Sequence, residues 1–344
     1  MTTPAPGQPV AVGLIGGGRM GSFHAETLAR RLPGARLAAI ADPAPGAAQR
    51  LAGPLGCSRA LTDPSQLLAD PGVDAVVIAT PARTHAGLVE AAARAGKAVY
   101  CEKPMALTLA DADRAIDAAH EARVPLQVGF NRRFDPGFRA AHDRIAAGAI
   151  GTPQLLRSLT RDPKLADPAP IPPWTIFLET LIHDFDALRF LNPGAEPVEV
   201  FALAGALIRP DYRDRGLLDT AIVTVRFDNG ALATAEASFQ AVYGYDVRGE
   251  VLGSGGMLTV GDLRRTHVTS YGPDGIGADC VTYDQDLFRD AYVAELAVFT
   301  DCVRTGRTPD VTGQDARAAL SIARAAIQSV RTGSPARIDE LKDE

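Results

Sequence analysis

Two short stretches carry side chains whose types and spacing can do proton and hydride chemistry. The first is Glu102-Lys103-Pro104, at the end of an apolar run. Lys103 at a strand end can hydrogen-bond a hydroxyl and stabilise the alkoxide that develops as hydride leaves. Glu102 can anchor a ribose or position the lysine. An exposed ion pair is the plain alternative. Only Lys97, Lys103, Lys164 and Lys342 are lysines among 35 basic residues, so a lysine at this position stands against a strong arginine bias. The second stretch is Glu179-Thr180-Leu181-Ile182-His183-Asp184-Phe185-Asp186. On a helix, Leu178, Leu181, Ile182, Phe185 and Leu188 form an apolar face, and Glu179, His183 and Asp186 share a different stripe at i, i+4 and i+7. Carboxylates beside a histidine fix its tautomer and raise its basicity, the design of a general base for an alcohol. A solvated face and a metal site built from His183, Asp184 and Asp186 remain open as other readings. No HxxH or Cys/His cluster accompanies the stripe, so no metal is expected.

A third motif points to a cofactor. Gly16-Gly17-Gly18-Arg19-Met20-Gly21 fits G-x-G-x-x-G between an apolar strand and a helix, and Asp42 ends the next strand. That context is the dinucleotide fingerprint. Gly16 serves the tight turn, Gly18 the approach of a pyrophosphate, and Gly21 the packing of helix on strand. Arg19 and Met20 open the helix, whose N-terminus attracts the phosphates. Asp42 accepts from ribose hydroxyls and repels a 2′-phosphate, and residue 43 is proline, so NAD is expected rather than NADP. Thr80-Pro81 at the C-terminal end of the third strand and His85 beyond it are candidates to line the cofactor cleft; for His85 a plain helix-start role is the alternative.

These motifs need a frame. Strands at Val10–Ile15, 36–41, 73–80, 98–101 and 126–130 alternate with helices at 19–31, 85–96 and 108–123. That rhythm predicts an α/β chain whose first half, 1–130, is a Rossmann-type doubly wound parallel sheet, with residues 1–9 a flexible tail. Residues 131–344 read as a second α/β domain with a large open, mostly antiparallel sheet covered by helices on one side. Its parts are a helix at 135–147, a strand at 154–160, a proline-rich loop from Asp162 to Pro173, a helix at 177–191, and a hairpin turning at Asp228-Asn229-Gly230. A further turn lies at 253–256, and closing helices span 286–305 and 313–331. Val198, Val200, Ala221, Val223 and Val225 look too apolar for a solvent face, so a homo-oligomer, dimer or tetramer, is expected.

Composition bounds the rest. The chain has 344 residues, 46% hydrophobic and 22% charged, with a net charge of −6. It is globular, and the acidic balance argues against nucleic acid as a partner. No apolar run reaches the roughly 20 residues of a membrane span, and the first residues do not read as a secretory signal. Cys57, Cys101, Cys280 and Cys302 lie far apart, which suits a reducing cytoplasm.

Taken together, VGLIGGGRMG, ATPARTH, CEKPMALT, VGFNRRFDPGF, IHDFDALRFL, YGYDVRGEVLGSGG and the closing VRTGRTPDVTGQDARAAL resemble the Gfo/Idh/MocA oxidoreductases, in motifs most like their inositol 2-dehydrogenase branch. The likeness runs from about Val12 to Ile338. It implies an NAD-binding domain, a substrate and oligomerisation domain, and oxidation of a ring hydroxyl of a cyclitol or sugar to a ketone. By that likeness Lys103 is the lysine of the EKP motif and His183 the acid/base. Position 179, acidic here as Glu179, is usually aspartate in inositol dehydrogenases. Pro173–Phe177 also lacks the Gly-Gly usually found there, so the ring that is bound is open to change. Asn131, Arg132, Arg161, Asp162, Trp174, Tyr243 and Tyr245 are candidates to contact it. A sugar dehydrogenase or ketosugar reductase is the second reading. A non-catalytic NAD-binding protein and a glycosidase that uses NAD transiently are others.

Overall fold

A computed structural model describes residues 8–164, 171–215 and 217–341. Most of the expected tail (1–9) and the middle of the expected proline-rich loop lie outside them. The chain divides into two compact units, residues 1–131 with 292–317, and residues 132–291 with 318–342.

In the first unit six parallel strands are laid down in the order β3-β2-β1-β4-β5-β6: β1 (Val10–Ile15), β2 (Ala35–Ala41), β3 (Ala60–Leu61), β4 (Ala75–Ile78), β5 (Ala98–Glu102) and β6 (Leu126–Gly129). Helices α1 (Arg19–Arg30), α2 (Ala47–Ala52), α3 (Pro64–Leu68), α4 (His85–Arg94) and α5 (Leu109–Ala122) connect them. All six residues of β1 are buried, as expected for a strand covered on both faces. The strand order reverses between β1 and β4, the position at which such sheets bind ligands. Thr108 caps α5 by accepting from Asp111 N–H at 3.1 Å, the expected capping geometry.

The second unit is built on α6 (Pro136–Ala146), α7 (Ile182–Phe190) and a seven-stranded mixed sheet ordered β12-β11-β7-β10-β9-β8-β15. Its strands are β7 (Pro153–Arg161), β8 (Pro197–Gly205), β9 (Thr220–Phe227), β10 (Leu232–Ser238), β11 (Asp246–Gly253), β12 (Gly256–Val260) and β15 (Ala336–Arg337). A separate hairpin pairs β13 (Arg264–Gly272) with β14 (Gly275–Cys280). Only β7 with β10 is parallel; the other pairings in the large sheet are antiparallel. The Asn229-Gly230 turn joins β9 to β10, with Gly230 at φ 86°. Helices α8 (Asp284–Leu287), α9 (Arg289–Thr305) and α10 (Gly313–Thr332) close the chain.

One detail of the sheet corrects the sequence reading. Val200, Ala221, Val223 and Val225 point to the buried face. The register places a different set on the open face: Leu155, Leu203, Ile222 and Leu232, each 44–61% exposed. Among them stand Arg157 and Glu236, ion-paired at 2.8 Å. The alternation in β9 was legible; which of its two faces is covered was not.

Candidate active site

The cofactor end of the first unit is set by backbone geometry. Gly16 sits at φ 99° and its N–H donates to the Ala41 carbonyl at 2.9 Å, tying the turn to β2. A Cβ on Gly21 would run into the Gly16 carbonyl. Gly18 is exposed, with nothing within 4 Å of a Cβ built there. As N-cap of α1 it offers no side-chain cap, and the positive end of the helix dipole there favours an anion. Asp42 Oδ2 accepts from Gly17 N–H at 2.7 Å and Oδ1 from Ala44 N–H at 2.8 Å. The carboxylate is thereby fixed beside the turn, with lone pairs left for ribose hydroxyls. An open cradle at Gly18, a helix N-terminus and a fixed carboxylate fit a dinucleotide. Exposed Arg19 and half-buried Met20 stand in the first turn of α1.

The ends of β4 and β5 are stapled together. His85 is 1% exposed, and its ring nitrogens lie 2.8 Å from the carbonyl oxygens of Pro104 and Thr80. It is therefore a clamp between two loops and not the cleft-lining residue expected. Thr80 Oγ1 bonds Thr84 Oγ1 at 2.7 Å, and Pro81 is exposed beside it. Glu102 also departs from its expected role toward a ribose. It is 7% exposed and its Oε1 lies 2.6 Å from His24 Nε2 on α1. Burial pushes its carboxyl up, but the His24 hydrogen bond and the charges of His24, Lys103 and His85 hold it below the ordinary value. Lys103 follows, half-buried.

In the second unit two buried ion pairs hold Asp184 and Asp186, the neighbours of His183 on α7. Arg132 is 2% exposed and donates to Asp184 at 2.7 Å; Ser158 and Thr160 of β7 donate to the two oxygens of the same carboxylate at 2.5 and 2.7 Å. Arg133 holds Asp186 with two hydrogen bonds. Arg132, expected to meet substrate, thus has its guanidinium turned to Asp184, because a buried carboxylate needs a cation. Asp186 is likewise withdrawn from the expected stripe. The expected helix 177–191 is broken: Ile176–Thr180 forms a π turn, Leu181 N–H donates to Ile176 O at 2.8 Å, and α7 begins afresh at Ile182. π turns of this kind recur at functional sites. Glu179 lies in the π turn and His183 in the first turn of α7, both half-buried, with His183 Nδ1 shielded from solvent.

The remaining substrate candidates divide by burial. Trp174 has φ 65°, rare for an aromatic residue, and its ring lies 5.2 Å from the Arg331 guanidinium. Tyr243 is exposed and donates to buried Asp246 at 2.7 Å, and Arg161 donates to the Tyr243 hydroxyl at 3.3 Å. Half-buried Asp162 joins β7 to the chain after β10 through its backbone. Tyr245 and Asn131 are buried, at 9% and 2% exposure, and burial pushes the Tyr245 phenol well up. Trp174, Arg161, Asp162 and Tyr243 therefore remain accessible, whereas Arg132, Tyr245 and Asn131 are built into the interior. Sequence reasoning missed His24, Arg133 and Glu295 as members of buried polar groups. The adjacent arginines of NRRF and the spaced aspartates of HDFD were the one available signal.

Comparison with known proteins adds to this geometry. Residues 10–130 match the oxidoreductase family with an NAD-binding Rossmann fold, and residues 138–259 match the GFO/IDH/MocA C-terminal domain. The chain belongs to the GFO/IDH/MocA oxidoreductase family. It is 40% identical to the scyllo-inositol 2-dehydrogenase (NAD(+)) of Bacillus subtilis (strain 168), over 96% of each chain. It is 39% identical to the myo-inositol 2-dehydrogenase of Thermotoga maritima, over 96% of this chain and 99% of the relative. The solved scyllo-inositol dehydrogenase of Lactobacillus casei with bound NAD(H) and scyllo-inositol superimposes with a TM-score of 0.92 at 26% identity, covering 97% of this chain and 100% of that one. The Gly16–Gly21 turn and Asp42 lie within the stretch that matches the NAD-binding Rossmann fold. Among the described residues no helix is long and apolar enough to cross a membrane.

Proposed function

We propose that this protein is an NAD-dependent dehydrogenase that oxidises a ring hydroxyl of an inositol to a ketone. The observation that carries the reading is full-length likeness to inositol 2-dehydrogenases in a chain that keeps Lys103 at the end of β5 and His183 on α7. Bound NAD⁺ supplies the hydride acceptor. His183 takes the hydroxyl proton, and Glu179, from the π turn, orients the imidazole. Lys103 donates to the same oxygen as it gains negative charge, lowering the barrier by electrostatic stabilisation. In reverse, His183 returns the proton and the enzyme reduces an inosose. Gly16, Gly18, Gly21, Arg19, Met20 and Asp42 hold the dinucleotide, with Thr80 and Pro81 beside it. Trp174, Arg161, Asp162 and Tyr243 bind the polyol.

We also read the protein as a cytoplasmic homo-oligomer. The free thiols support the first part. The apolar open face around Leu155, Leu203, Ile222 and Leu232 supports the second, because another copy of the sheet would cover it.

The test is NADH formation by the purified protein with myo-, scyllo- and chiro-inositol, glucose and glucose 6-phosphate, each with NAD⁺ and NADP⁺. Turnover of an inositol with NAD⁺ is expected. Silence on every inositol with turnover of a sugar would replace the substrate and leave the chemistry standing.

A further inference from the structure

Behind the Glu102-Lys103-Pro104 turn lies a buried polar cluster that the reaction scheme leaves unused. One ring nitrogen of His24 and one carboxyl oxygen each of Glu102 and Glu295 lie within 4.8 Å of one another, all three residues buried. They come from α1, the end of β5 and α9. Tyr100 of β5 donates to Glu295 Oε1 at 2.5 Å, and Gln127 of β6 donates to the Glu295 backbone carbonyl at 2.7 Å. Gly129 closes one side: a Cβ there would lie 3.2 Å from Glu102 Oε2 and 2.5 Å from the Tyr100 hydroxyl.

The arrangement is a hydrogen-bonded one and not a cation cage. His24 Nε2 and Glu102 Oε1 are 2.6 Å apart, closer than two ligands stand on a tetrahedral ion at about 2 Å from each. A carboxylate only accepts, so Nε2 carries the hydrogen of this bond. Glu295 is fully buried, its Oε2 meets no hydrogen-bond partner among the described residues, and its Oε1 meets a phenol. An isolated buried carboxylate is far more costly than a neutral acid. Burial and the neighbouring charge of Glu102 push the Glu295 carboxyl well above the usual range, while Glu102 is held below it.

We propose that Glu295 and His24 are positioning residues for Lys103: with Tyr100 they form a buried cradle, Glu295 its neutral acid, that fixes the carboxylate of Glu102, the residue immediately before Lys103 at the end of β5. The neutral Glu295 fills the space behind the His24–Glu102 pair without adding a second carboxylate charge beside Glu102. This rests on the reading of Lys103 as the residue that stabilises the alkoxide. The titratable groups acting on the two carboxyls are His24 from α1, Tyr100 and Lys103 at β5 and His85 from α4, and Tyr292 from α9 stands against Tyr100 and the His24 ring.

The experiment compares Glu295→Gln, Glu295→Ala, Glu102→Gln and Lys103→Ala with wild type, using NAD⁺ and myo- or scyllo-inositol across the active pH range. Glutamine reproduces a neutral carboxyl, so Glu295→Gln is expected to retain kcat within about threefold, whereas Glu295→Ala loses about tenfold or more, as displaced catalytic groups do. Glu102→Gln is expected to lose kcat by a similar factor and to shift the pH profile. If Glu295→Gln is as impaired as Glu295→Ala, or if Glu102→Gln keeps the wild-type rate and profile, the inference is overturned. An active Lys103→Ala overturns the proposed chemistry instead. A measurement independent of variant folding is the infrared band of a protonated carboxyl group in the wild-type protein at neutral pH. The band is expected, and its absence sinks the inference.

Discussion

Arg133 grips Asp186 on the helix that carries His183, Nε to Oδ2 at 2.9 Å and Nη2 to Oδ1 at 2.6 Å, with both side chains buried. A bidentate pair fixes direction as well as distance. Together with Arg132 and Asp184 it anchors α7 to the segment that precedes α6, so His183 is set by contacts made on residues close to it in sequence.

Removing one partner strands a buried charge. Asp186→Ala is expected to destabilise the protein by about 3–5 kcal/mol, read by chemical denaturation. Asp184→Ala is expected to behave similarly, because it also leaves Arg132 without its carboxylate. Loss of less than about 1 kcal/mol in both would show that the pairs do not hold the helix.

His183→Ala is expected to lower kcat by about 10²–10⁴ with little change in NAD⁺ binding. Cofactor fluorescence titration beside steady-state rates checks both halves. Unchanged turnover removes His183 from the chemistry.

Asp42→Ala frees the Gly17 and Ala44 N–H groups and removes the repulsion toward a 2′-phosphate. KM for NAD⁺ is expected to rise and the preference over NADP⁺ to shrink, by about tenfold for each kept or lost charge-assisted bond of roughly 1.5 kcal/mol. Paired kcat/KM measurements with the two cofactors decide it.

Glu295 makes stability pH-dependent. Its carboxyl is raised in the folded chain, so the stability it contributes is complete below the unfolded value of about 4.3 and is lost as pH rises through the folded value. Glu102 is depressed and acts in the opposite sense: its contribution is present above the unfolded value and lost as pH falls through the folded one. Thermal unfolding of wild type is therefore expected to lose ground to Glu295→Gln as pH rises above the carboxyl range. Parallel curves at every pH would contradict this.

Ile222→Glu with Leu155→Glu places charge on the open sheet face, and light scattering is expected to report a smaller assembly than wild type. An unchanged mass would move the interface elsewhere.

The first unit was largely legible because its signals are local. Val10–Ile15 is apolar throughout, as a doubly covered strand must be, and Gly16–Gly21 with Asp42 is a motif with a mechanism. The Asn229-Gly230 hairpin was legible for the same reason. What escaped the sequence depends on distant partners. His24 meets Glu102 only because α1 packs over β5, and Arg132 meets Asp184 only once α7 lies on β7. Both arginine and carboxylate were visible, but nothing local says which pairs with which, so Arg132 and Glu102 looked available to ligands. The π turn at Ile176–Thr180 was invisible because an extra residue in a helix leaves the apolar spacing readable as one continuous helix.

The segment Tyr292–Arg317 belongs to the first unit, and Leu296, Phe299 and Val303 fill the cluster formed by β1, α1, β2, β4 and β5. As a ribosome synthesises the chain, the six strands emerge early, but the residues that seal their core arrive only after the whole of residues 132–291. The nascent first unit must wait with Tyr100 and Val77 uncovered. A fragment ending at Asn131 is therefore expected to be an incomplete nucleotide-binding domain, and a boundary drawn there for expression would cut through a core.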